Sequence, residues 1–135
     1  NGYLRAATQI SRWSSDARET KIRITTIAAE GLDNLRVAGV LDVGHGENLV
    51  ATRFTERAAY LFHMVQVDPL EIIDLSDPTA PRSAGILAID GWVNRIEVRG
   101  NKLLALGVND AESRKIALIM FDAAIGSRGV ASRCT

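Results

Sequence analysis

Two arginines have the type and placement that best suit ligand binding in this chain. Arg53 and Arg95 lie on predicted strands at the start of two successive repeat units. Side chains alternate along a strand, so two such arginines on matching faces would form a cationic pair. Two guanidinium groups can fork a carboxylate or a phosphate. The alternative is a set of ordinary salt bridges with Glu56, Glu97 or neighbouring blades.

Three aspartates are the candidates for metal binding. Asp68 precedes Pro69 at the start of a predicted strand, and Asp74 and Asp77 bracket a short turn. Carboxylates suit calcium, but this spacing lacks the glycine and the final glutamate of an EF-hand loop. Aspartates in turns more commonly accept hydrogen bonds from backbone amides. We therefore predict no metal site and keep the three aspartates as weak candidates.

The histidines and the cysteine give no catalytic or metal-binding pattern. His45 lies in a glycine turn, and His63 lies on a predicted strand among apolar neighbours, which favours a core histidine. The two could meet at one carboxylate in a zinc site, but their spacing does not favour it. Cys134 is the only cysteine, so no disulfide can form within the chain. Trp13 could stack on a sugar or pack over a neighbouring hairpin.

The composition is that of one small globular domain. The chain has 135 residues, of which 47% are hydrophobic, and its net charge is +0. Zero net charge gives no electrostatic drive toward nucleic acids, and no apolar run approaches the roughly 18 residues of a membrane-spanning helix. The opening residues lack a charged start followed by an apolar block, so we expect no signal peptide in this chain. Without a serine nucleophile elbow or a phosphate-binding loop, we predict no cofactor.

The elements that must position these residues form a repeat. Residues 35–41 read LRVAGVL and residues 81–87 read PRSAGIL, so that Gly39 and Gly85 lie about 46 residues apart. Ten runs rich in apolar and β-branched residues predict strands with short polar connections and no convincing helix. All-β repeats of about 40 to 50 residues are typical of β-propeller blades.

The repeat divides this single domain into three units. We predict a partial unit over residues 1–48, a complete unit over 49–91, a partial unit over 92–125 and a frayed tail over 126–135. The first unit lacks its first strand and the last lacks its fourth. The predicted fold is all-β, a β-propeller segment of about two and a half four-stranded antiparallel blades. Because a ring needs at least about four blades, we expect a fragment of a longer protein or an assembly of copies.

The strand assignment also predicts how the units pack. Gly39 and Gly85 should occupy equivalent places on the fourth strands, at a bulge or a close backbone approach. Nine apolar residues should be largely buried between stacked sheets. They are Phe54, Tyr60, Ile72, Leu75, Leu87, Val98, Leu104, Leu118 and Phe121.

The middle of the chain carries a recognisable run of residues. Residues 66–70 read QVDPL, residues 73–78 read IDLSDP, and Pro81 and Gly85 follow. This run resembles the β-propeller domain family of secreted bacterial and archaeal proteins, and the opening NGYLR resembles a strand of the same family. The resemblance implies a β-propeller in an extracellular or cell-envelope location. It implies little about chemistry, since the biochemical role of the family is largely unassigned.

Three functions are compatible with these residues. The first is a non-catalytic binding or scaffold module for an unknown protein or small-molecule ligand, which the lack of a nucleophile–base pair favours. The second is a hydrolase or lyase with its site in the propeller channel, which perturbed carboxylates beside Arg53 and Arg95 would favour. The third is a calcium-stabilised structural module. We expect neither nucleic-acid binding nor membrane insertion, and we expect open blade edges to promote homo-oligomers.

Overall fold

The computed structural model describes residues 2–31, 33–44, 46–64, 68–89, 91–100, 102–108, 115–122 and 133–134. For residues 68, 69, 88, 89, 133 and 134 only the backbone is described. Within these ranges the chain forms strands and turns, in three antiparallel sheets. The all-β fold predicted from the sequence is confirmed.

Sheet I contains three strands in the order β1-β2-β3. They are β1 (Tyr3–Trp13), β2 (Arg18–Ala29) and β3 (Leu35–Val43). In β2 every second residue from Thr20 to Ala28 is buried, as expected of a strand with one face on the core. The hairpin of β1 and β2 extends beyond β3, because β3 ends opposite Ile22.

Sheets II and III contain four strands each, in the order of the chain. The strands of sheet II are β4 (Asn48–Phe54), β5 (Ala58–Met64), β6 (Asp68–Asp74) and β7 (Arg82–Ile89). The strands of sheet III are β8 (Trp92–Arg99), β9 (Lys102–Val108), β10 (Ile116–Asp122) and β11 (Arg133–Cys134).

The end of the chain differs from the predicted frayed tail. Arg133 and Cys134 form β11 and pair with Phe121 and Met120 of β10. Sheet III therefore has a short fourth strand where the sequence predicts none. The physical reason is that the outer edge of β10 presents unpaired backbone groups, which an extended segment of any sequence can satisfy.

The last strands of sheets I and II share an irregularity. The register skips Ala38 in β3 and Ala84 in β7, and in each case the next residue is a glycine, Gly39 or Gly85. Each skip is a β-bulge, in which one extra residue is left without a partner. The prediction that the two glycines occupy equivalent places beside a bulge is confirmed.

The first strands of sheets II and III, β4 and β8, share a second irregularity. The register skips Val50 in β4 and Asn94 in β8, each two residues after the strand begins. Sheets II and III therefore repeat one another in detail as well as in strand order.

Gly39 is also a point of close approach between sheets I and II. A Cβ atom at this position would lie 2.6 Å from the carbonyl oxygen of Pro78 and 2.7 Å from Cδ of Pro81. Carbon atoms in favourable contact are about 3.5 to 4.0 Å apart. The absence of a side chain at Gly39 is therefore what lets the turn between β6 and β7 rest on sheet I.

Sheet II lies between the other two sheets and is buried on both faces. One face forms a core with sheet III. Its members in sheet II are Ala58, Tyr60, Phe62, Leu70 and Ile72. The opposite face forms a second core with Ile22, Ile24 and Val43 of sheet I. Its members on this side are Ala59, Leu61 and Ile73 of sheet II and Leu75, which directly follows β6.

The predicted core is right in part. Four of the nine residues are buried: Tyr60, Ile72, Leu75 and Phe121. Three others are half-buried and pack against the two cores: Phe54, Leu87 and Val98. The prediction is wrong for Leu118, which is 69% exposed, and Leu104 is only partly covered. Both belong to the outward face of sheet III, whereas their neighbours Leu103 and Ile119 point inward.

Candidate functional site

The three sheets approach one another along β1, β4 and β8, and Arg53 joins two of these strands. Its Nε on β4 donates a hydrogen bond to the carbonyl oxygen of Ile96 on β8, at 2.8 Å. The side chain thus connects β4, the first strand of sheet II, to β8, the first strand of sheet III. Arg53 therefore lies where sheets II and III meet, and its role in ligand binding stays a prediction.

Arg53 and Arg95 meet at the carboxylate of Glu97. Arg53 reaches Glu97 Oε1 at 3.0 Å and Arg95 reaches the same atom at 3.1 Å. The side chains of Arg53 and Glu97 are 44% and 39% exposed, so the cluster faces solvent. The structure therefore brings Arg53 and Arg95 together, as predicted. It does so through salt bridges to Glu97, which the sequence analysis gave as the alternative to ligand binding.

The electrostatics of this cluster favour ion pairing over acid–base chemistry. Hydrogen bonds from Arg95 and then Arg53 hold the pKa of Glu97 below its ordinary value. A carboxylate held ionised in this way is a weak proton acceptor at neutral pH. With two cations and one anion, the cluster keeps one positive charge, which suits weak attraction of an anionic ligand.

The candidate metal ligands Asp74 and Asp77 are engaged by their own turn. Asp74 accepts from Ser76 N at 2.9 Å and from the guanidinium of Arg82 at 2.8 Å. Asp77 accepts from the backbone and the hydroxyl of Thr79, at 2.9 and 2.6 Å. The hydrogen bonds from Ser76 and Arg82 lower the pKa of Asp74 to about 2. Both aspartates therefore have the amide-binding role predicted for them.

No metal-binding arrangement is visible in the described ranges. Among those residues no three side chains of His, Cys, Asp or Glu are grouped so as to hold a metal ion. The side chains of Asp68 and Cys134, and the whole of His45, lie outside the described residues. Trp13 is 76% exposed, and its ring contacts Arg18, whose Cζ lies 5.4 Å from the ring centre.

His63 belongs to a buried polar network that sequence reasoning missed. The ring is 3% exposed and lies between two carboxylates, with Nδ1 facing Glu47 and Nε2 at 3.2 Å from Glu71 Oε2. The other oxygen of Glu71 accepts from the hydroxyl of Ser83 at 2.7 Å. Burial alone would lower the pKa of His63, but Glu71 and Glu47 together raise it above its ordinary value. In the sequence, this network is indicated only by Glu71, an acidic residue within the otherwise apolar part of β6.

Three stacked antiparallel sheets that meet along their inner strands define a β-propeller architecture. The chain belongs to the Beta propeller domain family, whose model matches residues 1–124. Within the described ranges, no helix is long and apolar enough to cross a membrane.

Two archaeal relatives extend the comparison. An uncharacterized protein of Methanocaldococcus jannaschii is 36% identical over 121 residues, which cover 87% of this chain and 18% of the relative. An uncharacterized protein of Archaeoglobus fulgidus is 29% identical over 124 residues, which cover 90% of this chain and 18% of the relative. This chain thus spans about a fifth of the length of these curated relatives. No solved structure matches it.

Proposed function

We propose that this chain forms adjacent blades of a larger β-propeller and serves as a non-catalytic binding or scaffold module. The observation that carries the proposal is the contrast between sheet II, buried on both faces, and sheets I and III, each buried on one face. The outward faces of those two sheets are the surfaces on which further blades would pack. A rigid ring of this kind holds its loops in fixed positions for ligands, as propellers and other repeat scaffolds do.

The outward face of sheet III is strongly apolar. Ile116 is 83% exposed, Leu118 69%, and Leu106 43%. Monomeric soluble proteins rarely leave a contiguous patch of this kind uncovered. The occupant we propose is a further blade of the same polypeptide, which the greater length of both relatives supports. In the isolated chain a second copy would take its place, giving a homo-oligomer.

The outward face of sheet I has an apolar half and an ion-paired half. The exposed apolar residues are Leu4, Leu35, Val37 and Val40. Beside them Asp42 receives Lys21 Nζ and Arg23 Nε, each at 2.6 Å. The hydrogen bond from Arg23, and then that from Lys21, hold the pKa of Asp42 well below its usual range. Charges that are already paired can enter an interface more readily than unpaired ones.

A non-catalytic role agrees with the state of the polar clusters. Glu97 and Asp74 both have lowered pKa values and are bonded to arginines, so neither is poised to exchange a proton at neutral pH. An enzyme would need several reactive groups converging from different blades. The ligand of the module is an unidentified protein or small molecule.

An extracellular or cell-envelope location is part of the proposal. The DPL and IDLSDP run, which resembles propellers of secreted proteins, supports it. Protease digestion of intact cells that produce the full-length protein tests the location. We expect the propeller to be cleaved or shed from intact cells, and complete protection until lysis would contradict an outside location.

Sedimentation velocity of the 135-residue chain tests the open faces. We expect self-association at micromolar concentration, which the double substitution Ile116→Glu and Leu118→Glu should abolish while the circular dichroism of the strands persists. The matched control is Ser14→Glu with Ser15→Glu, which adds the same two charges at an exposed turn and should leave association unchanged. A wild-type chain that stays monomeric and melts cooperatively would overturn the proposal.

A further inference from the structure

A cleft opens between sheets I and II, at the end of the stack that carries the β4–β5 and β6–β7 turns. Its volume is about 380 Å³, and the polar residues that line it include Tyr3, Arg5, Glu56, Arg57 and Ser76. Small-molecule sites are typically clefts of about 300 to 1,000 Å³. The cleft is therefore large enough for a small ligand, and it is separate from the cluster around Glu97.

Arg5 enters the cleft with an unused donor. Its terminal nitrogen donates to the backbone oxygen of Glu56. Its Nε is buried and has no hydrogen-bond partner within the described part of the chain. Buried N–H groups without an acceptor are rare in folded proteins because their desolvation is not offset. A small shift of the guanidinium toward the cleft would let an acceptor oxygen of a ligand satisfy this group.

Arg57 lines the same cleft from the β4–β5 turn. Its Nε donates to the hydroxyl of Ser76 at 3.3 Å, and its backbone oxygen accepts from Leu75 N at 2.8 Å. The residue is exposed, so these bonds fix its position while its side chain stays accessible to a ligand.

The lack of salt bridges distinguishes the arginines of the cleft from those of the other clusters. In the described ranges neither Arg5 nor Arg57 makes a salt bridge, whereas Arg53 and Arg82 are each bound to a carboxylate. Glu56, which has an interaction of its own, supplies the negative charge among the described residues of the lining. With Arg5 and Arg57, these residues leave the cleft with one positive charge.

We propose that this cleft binds a small oxyanion, a carboxylate or a phosphate group, between Arg5 and Arg57. The planar guanidinium fork matches the geometry of both groups. Tyr3, whose hydroxyl can both donate and accept, lines the same space. The site goes beyond the scaffold role, because it assigns a ligand class to particular residues.

Calorimetric titration of the 135-residue chain tests the site, with inorganic phosphate and malonate as probes in separate experiments at constant ionic strength. We expect saturable binding of at least one probe, and the one that binds identifies the group as phosphate or carboxylate. Arg5→Gln and Arg57→Gln should each weaken binding at least tenfold. The matched control Arg99→Gln removes the same charge from an exposed position on β8 and should bind as the wild type does.

The exposed position of Arg57 keeps the test decisive if Arg5→Gln does not fold. Binding by Arg57→Gln equal to that of the wild type would overturn the proposal. The proposal would also be overturned if neither phosphate nor malonate bound, or if Arg99→Gln lost as much affinity as Arg5→Gln and Arg57→Gln. Sedimentation reports the blade-packing proposal independently, so the failure of one proposal leaves the other standing.

Discussion

Strands β5 and β10 have similar apolar sequences but very different environments. In β5 the five residues from Ala58 to Phe62 are at most 3% exposed, on both faces. In β10, Ile119 and Phe121 are buried, while Leu118, next to Ile119, is 69% exposed. The difference is the number of sheets that pack on each strand, two for β5 and one for β10. Burial in a stacked fold therefore depends on neighbouring units more than on the composition of a strand.

A matched pair of leucine substitutions measures this difference directly. Leu61 is buried in the core between sheets I and II, so Leu61→Ala should lower the free energy of unfolding by about 2 to 5 kcal/mol. Leu118→Ala makes the same chemical change on a face that is open in the monomer, and it should alter the free energy of unfolding by no more than about 0.5 kcal/mol. Urea unfolding of the two variants, at concentrations too low for self-association, provides both values. Equal losses under these conditions would mean that the outward face of sheet III is covered within the monomer.

His63 sharpens the comparison inside sheet II. His63→Gln should cost on the order of 3 kcal/mol at pH 6, because it leaves the buried carboxylate of Glu71 without its cationic partner. The raised pKa means that folded His63 binds its proton more tightly than the unfolded chain does. This stabilisation is complete below the unfolded pKa of about 6.5 and is lost as pH rises through the higher folded pKa.

Unfolding titrations between pH 5 and pH 9 test the histidine prediction. The wild type should lose stability with rising pH, and His63→Gln should lack that loss. His45→Gln is the control, since it removes the other histidine and should leave the pH dependence unchanged. The same slope in wild type and His63→Gln would show that the network does not hold a proton.

Gly39 tests how tightly sheet I is held against sheet II. Gly39→Ala would place a methyl group 2.6 Å from the carbonyl oxygen of Pro78, so the β6–β7 turn would have to shift. We expect a loss of about 1 to 3 kcal/mol, as for other overpacked sites. Val40→Ala, a change at the exposed neighbour, is the control, and thermal unfolding is the measurement. A stable Gly39→Ala chain would show that the interface of sheets I and II is loose.

The smallest predicted effect concerns Asp74 in the turn of sheet II. Its lowered pKa of about 2 contributes stability that is present above the unfolded value of 3.8 and is lost as pH falls toward 2. Because the groups that bond Asp74, Ser76 and then Arg82, are exposed, the effect should be below about 1 kcal/mol. Asp74→Asn should flatten the acid limb of the stability curve, whereas Asp16→Asn in the hairpin turn should not. Identical acid limbs in wild type and Asp74→Asn would rule this contribution out.

The fold is predictable from the sequence because its signals are local. Alternating burial in β2 follows from residues two positions apart, and the turn at Asp74 to Pro78 is formed by side chains that bond their own backbone. The spacing of Gly39 and Gly85 is enough to identify two equivalent strands, and the matching bulges beside them confirm it. Patterns of this length need no knowledge of the neighbouring sheets.

Contacts between polar side chains can be predicted only where the strand assignment already puts the two residues on neighbouring strands. Arg53 and Arg95 meet because they lie on first strands of adjacent sheets, which the repeat indicates. The partners of His63 are missed, since Glu47 belongs to the connection between sheets I and II and no local pattern joins the two residues. The exposure of Leu118 is missed for a related reason, because the pattern shows that a strand has two faces but not which of them is covered.

The repeated bulges bear on the shape of the sheets. Ala38 and Ala84 are each an extra residue at the same place in a last strand, and Val50 and Asn94 are each an extra residue at the same place in a first strand. A bulge bends its strand and increases the local right-handed twist. Strands that carry a bulge at the same place therefore bend at the same level, which lets neighbouring sheets keep matching surfaces. In this molecule the residues without a partner help to determine how the sheets fit together.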